Sequence, residues 1–124
     1  MPPCPCKAYR ARVSAVELGQ LCAEAMGHLY HLISMARVTT RLAMEEAHER
    51  RLLVYFGSRL RANLRAALLA LPLAARCLDP GVREKVSYYL NAATHEIDEA
   101  HEYVDRALPN AGAFLDEALI SMNV

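Results

Sequence analysis

Strand patterning is missing from this sequence: no stretch alternates Val, Ile, Thr or Tyr with polar residues as a half-buried strand would. Aromatics supply only 6% of the 124 residues, tryptophan none, so the 54% hydrophobic content rests mainly on Ala and Leu. Both are strong helix formers and neither favours strands. Net charge is missing too, with 14 Lys and Arg set against 14 Asp and Glu, which excludes global steering towards nucleic acid or membrane. No apolar run is long enough to span a bilayer; the longest, near Ala66–Ala75, is interrupted by Pro72. The opening Met-Pro-Pro-Cys-Pro-Cys has no apolar region of a secretory signal, so a cytoplasmic location with reduced thiols is expected. A Gly-rich phosphate loop, a nucleophile elbow and a His-Glu-x-x-His motif are all absent, which removes the best-marked catalytic classes.

What remains reads as helix. A chain of 124 residues fits one domain, and folding hides about two thirds of the surface an unfolded chain exposes. Three prolines in the first five residues forbid a helix there, so residues 1–12 are expected to form a flexible tail and residues 13–124 a single domain. The expected fold is all-α, an antiparallel bundle of four to five helices.

The first helix opens at Ser14-Ala-Val-Glu17, a capping box. Leu18, Leu21, Cys22, Ala25, Leu29, Leu32, Ile33 and Ala36 then recur at helical period. The register slips near Arg37–Arg41, which is read as a break, the alternative being one bent rod over 14–56 of roughly 64 Å. Gly57-Ser58 is expected to end the next helix and Pro72 the one after it. Asp79-Pro80 is a strong start, with Asp as N-cap and Pro in the first turn. Val82, Val86, Tyr89, Leu90, Ala93, Ile97, Ala100, Val104 and Leu108 share one face of the helix that follows. Pro109-Asn110 is expected to stop it, leaving a short last helix over about 111–122.

Three constellations bear on function. The first is a strip of small residues on the first helix, Gly19, Ala23 and Gly27 with Tyr30 beyond, where another backbone can approach closely. With the wide apolar arc beside it, this strip points to a non-enzymatic interaction module: an adaptor, inhibitor or regulatory subunit that acts through apolar helix faces as a homodimer. Cys22 lies on the apolar stripe and is expected to pack as a small hydrophobe. Residues 1–76 carry a net charge of +6 and residues 77–124 a net −6, which suits antiparallel helices with complementary faces, or an acidic partner or self-association.

The second constellation is metal-like. Glu24, His28 and His31 fall at i, i+4 and i+7 on one helical edge, and His101 borders the apolar stripe of a later helix. Carboxylate and histidine side chains from facing helices hold zinc, iron or manganese in four-helix metalloproteins. The competing reading is that Glu24, His28 and His31 form the polar strip of their helix and face water, so no cofactor is the leading expectation.

The third is nucleic-acid chemistry. Arg41 and His48, with six residues between them, have a spacing that resembles that of small helical RNases of the HEPN type. The resemblance implies an arginine that steadies phosphate and a histidine that moves a proton, both on one helical face. Leu42 stands where that pattern has a polar residue. Seven arginines between Arg37 and Arg65 could also contact a phosphate backbone. Their spread around the helix favours a solvated surface instead.

Overall fold

The computed structural model describes residues 15–46 and 48–122. Four helices carry almost all of them: α1 (Ala15–Glu46), α2 (Arg50–Ala75), α3 (Pro80–Ala100) and α4 (Val104–Met122). The three- and four-residue connections leave no room for crossovers, so sequential helices run antiparallel. Each packs on its neighbours in the ring α1–α2–α3–α4, and α1 and α3 lie diagonally opposite. The result is an all-α four-helix bundle, as the composition predicts.

The core is made by the period that the sequence displays. Leu29, Ile33 and Ala36 of α1 meet Leu60, Leu64 and Ala67 of α2, with Val86, Leu90, Ala93 and Ile97 of α3 and Leu108, Ala111, Leu115 and Ala118 of α4 closing the other side. Alanines between leucines let the axes approach while the leucines interdigitate.

Helix boundaries differ from expectation at several places. No break occurs at Arg37–Arg41: α1 runs through 32 residues, about 48 Å. The slip in apolar register is absorbed by hydroxyls. Thr39 and Thr40 are buried where aliphatics would otherwise sit. Their Oγ1 atoms donate back to the carbonyls of Met35 (2.8 Å) and Arg37 (2.6 Å), and Thr39 Oγ1 accepts from Asn63 Nδ2 at 2.9 Å. The chain reverses instead between Glu46 and Arg50, inside the helix expected to run on to Gly57.

Gly57 does not end a helix. It is buried inside α2, where a β-carbon would lie 3.5 Å from the Val104 side chain, so it serves the close approach of the start of α4. Pro72 and Pro109 lie inside α2 and α4, and both are exposed. On a solvated face, water can take the carbonyl four residues back that loses its amide partner, and the buried face continues. The third helix therefore ends earlier than expected, at Ala100, and α4 takes up Val104 and Leu108. Asp79 and Pro80 begin α3 as expected, though the Asp79 side chain makes no capping hydrogen bond. Ser14 and the 1–12 segment fall outside the described residues.

Candidate interaction face

The candidate ligand set does not assemble. Glu24, His28 and His31 are exposed on α1 towards the end where it begins. His101 is exposed in the α3–α4 connection, at the opposite end of the bundle. Among the described residues no three His, Cys, Asp or Glu side chains are grouped to hold an ion.

Arg41 and His48 are separated by the end of α1. The helix stops at Glu46, and His48 lies in the turn, its amide bonded to the Glu46 carbonyl at 3.0 Å. The shared helical face that a phosphate–proton pair requires is therefore not formed. Several other arginines are committed within the chain. Arg37 Nε pairs with Asp116 at 2.6 Å, Arg50 pairs with Glu102 at 2.6 Å, and Arg61 Nη2 donates to the His101 carbonyl at 2.9 Å.

Cys22 is not a free packing residue. It forms a disulfide with Cys77, closing a sequence separation of 55 residues between α1 and the α2–α3 turn. The expectation of reduced thiols is corrected for this pair; Cys4 and Cys6 lie outside the described residues. Two cysteines so far apart in sequence carry no spacing signal, and only the antiparallel return of α2 brings them together.

Gly19, Ala23, Gly27 and Tyr30 sit on the edge of α1 towards α4, the edge that also carries Arg37. A β-carbon at Gly19 or Gly27 would meet nothing within 4 Å, so neither glycine marks a close helix contact among the described residues. Apart from Tyr30 it offers little area to bury.

A broader apolar surface lies on the other edge of α1 and the adjoining side of α2. On α2, Leu52, Tyr55, Arg59, Ala62, Ala66, Leu69 and Leu73 recur at alternating steps of three and four, the seam spacing of paired helices. Leu69 and Leu73 are 74% and 69% exposed. Tyr55 is exposed beside the half-buried Phe56. On α1, Leu21, Glu24, His28, His31, Met35, Val38 and Leu42 follow the same alternation and are all exposed. The seam deepens at one end into a groove of about 650 Å³ lined by Leu18, Leu21, Cys22, Glu24, Ala25, Leu73, Arg76 and Cys77. Leu18 and Leu21 keep 53% and 51% of their surface exposed because α1 begins beyond the bundle end.

Charge is divided across this face. α2 holds five arginines and no acidic residue, whereas α1 contributes Glu17, Glu24, Glu45 and Glu46. Sequence reasoning passed over Leu69 and Leu73 because they sit in an Ala/Leu-rich run in which every face looks apolar.

Compared with known proteins, the chain matches no protein-family model, no curated protein and no solved structure. Among the described residues no helix is long and apolar enough to cross a membrane.

Proposed function

We propose that this chain is a non-catalytic interaction module that self-associates through the α1–α2 face to form a homodimer. The observation that carries the reading is the exposed three-four seam of α2, ending in Leu69 and Leu73, beside the parallel seam of α1. Scattered exposed leucines are ordinary; a group of exposed apolar side chains shared by two adjacent helices is a candidate interaction site.

A second copy is the occupant that best fits the charges. In a two-fold arrangement the same patch serves both subunits. The acid-bearing edge of α1 then meets the α2 of the other copy, which carries arginine and no acidic residue. The area suffices as well. α2 is 26 residues long, about 39 Å, and two adjacent helices are about 20 Å wide, so the face offers roughly 800 Å² per partner, the scale of a standard stable interface. Ala62 and Ala66 at the middle of the seam allow close approach.

With Cys22 and Cys77 paired, we favour a compartment that is oxidising or varies in redox state.

Light scattering across a hundredfold concentration range tests self-association. The expected result is a shift from monomer to dimer mass, with Leu69→Glu/Leu73→Glu held monomeric while its helical circular dichroism is unchanged. A wild-type chain that stays monomeric throughout overturns the reading.

A further inference from the structure

We infer that the Cys22–Cys77 disulfide is a redox clamp on the docking face, holding in place the turns of α1 that wall its groove. This rests on the self-association reading for its consequence, although the clamp itself can be measured separately.

Every residue from Ala15 to Leu21 is exposed, and the first buried residue of α1 is Leu29. The opening turns of the longest helix therefore contribute almost nothing to the core. A helical end with no buried face opens readily, because so short a segment gains little from its own hydrogen bonds. Cys22 is the first α1 residue joined covalently to the rest of the bundle, and its partner is well anchored. Cys77 lies in the α2–α3 turn, its amide donating to the Ala74 carbonyl at 2.9 Å, next to buried Leu78. The post is anchored, and the tethered segment has no buried residue of its own. That segment carries Leu18 and Leu21, which face Leu73 across the groove. Breaking the bond dissolves one wall of the groove and leaves the other standing.

The bond is within reach of a reductant, since both cysteines are only half-buried and line the groove. A dithiol reductant acts by exchange. Its thiolate attacks one cysteine sulfur, a mixed disulfide forms, and the other cysteine leaves as a thiolate. The second thiol of the reductant resolves the mixed disulfide. Two electrons and two protons pass to Cys22 and Cys77, and the reductant departs as its own disulfide.

The test uses the full chain carrying Cys4→Ser and Cys6→Ser, which leaves Cys22 and Cys77 as its only cysteines. Amide hydrogen exchange is compared before and after reduction with dithiothreitol, with Cys22→Ser/Cys77→Ser as a reductant-independent control. Exchange over residues 15–25 is expected to speed up by about tenfold or more on reduction and in the serine variant, while α3 and α4 amides keep their protection. Unchanged exchange over 15–25 overturns the clamp. Sedimentation of the same samples reads the consequence, with a dimer dissociation constant expected to rise at least several-fold on reduction. A dimer equally tight in both states overturns control of the face by the clamp. A chain that is monomeric in both states removes the self-association reading, and the exchange result still decides the clamp.

Discussion

Arg61 of α2 reaches across the bundle to the carbonyl of His101, the residue that closes α3, and its Nη2 donates to that oxygen at 2.9 Å. The same nitrogen lies 3.4 Å from the Ile97 carbonyl. A guanidinium at a helix C-terminus satisfies carbonyls that have no amide partner and opposes the negative end of the helix dipole. The contact also fixes the α3–α4 connection next to Val104, whose side chain packs on Gly57 one turn before Arg61. One arginine therefore ties the end of α3 and the start of α4 to the middle of α2.

Arg61→Ala should accordingly lower stability by about 1–3 kcal/mol, the range for hydrogen bonds made by charged groups. Urea denaturation would show this as a lower midpoint with an unchanged slope. Arg61→Lys should recover only part of the loss, because a compact, strongly hydrated ammonium on a flexible stem loses more on being held against these carbonyls than the planar guanidinium does.

His101 itself has φ 51° and ψ −114°, a region that a residue with a β-carbon seldom occupies. Strain of this kind costs about 1–3 kcal/mol, against the roughly 0.5–1 kcal/mol that glycine loses by greater freedom in the unfolded chain. His101→Gly should therefore raise stability by about 1 kcal/mol, seen as a melting temperature higher by a few degrees. His101→Ala keeps the β-carbon and should give no such gain. If both variants behave alike, the imidazole and not the backbone governs this position.

Much of this architecture is legible in the chain. The heptad-like faces of α3 and the Asp79-Pro80 start follow from periodicity and from proline's fixed φ. Prolines and glycines mislead elsewhere, since their local meaning depends on which side of the helix faces water. Pro72 is tolerated because it is exposed, and Gly57 lies within a helix because its position is packed against Val104 instead of standing at a helix end. The register slip at Thr39 and Thr40 reads as a break until Asn63 is seen to supply a polar partner from α2. The candidate face is harder still. In a run such as Leu68-Leu69-Ala70-Leu71-Pro72-Leu73, composition cannot say which leucines the bundle covers; only the positions of α1 and α3 decide it.

Removing the disulfide should affect global stability as well as the groove. A cross-link across 55 residues restricts the unfolded chain, and loops of this size are worth about 2–4 kcal/mol. Cys22→Ser/Cys77→Ser should lose that amount in urea denaturation while keeping its helical content outside the opening turns of α1. An unchanged midpoint would mean that the unfolded chain gains nothing from release of the link.

The two buried glycines at helix contacts should respond oppositely to one added methyl. At Gly57 a β-carbon would lie 3.5 Å from Val104 Cγ2 and 3.6 Å from Arg61 Nη1, ordinary contact distances. Glycine inside a helix costs about 0.5–1 kcal/mol relative to alanine, so Gly57→Ala should stabilise by about that amount. Gly57→Leu has no such room, and overpacking against Val104 should cost about 1–3 kcal/mol. At Gly112 the β-carbon would lie 3.1 Å from Arg37 Nη1, closer than a comfortable contact. That guanidinium is held, with Nη1 donating to Thr40 Oγ1 at 2.9 Å and Nε to Asp116 at 2.6 Å. Moving it loosens both bonds, which offsets the gain in helix propensity. Gly112→Ala should therefore be neutral or destabilising by about 1 kcal/mol. Pairing it with Asp116→Ala, which frees Arg37 to swing away, should restore the benefit of alanine, and a double-mutant cycle with zero coupling would refute this account of the α1–α4 contact.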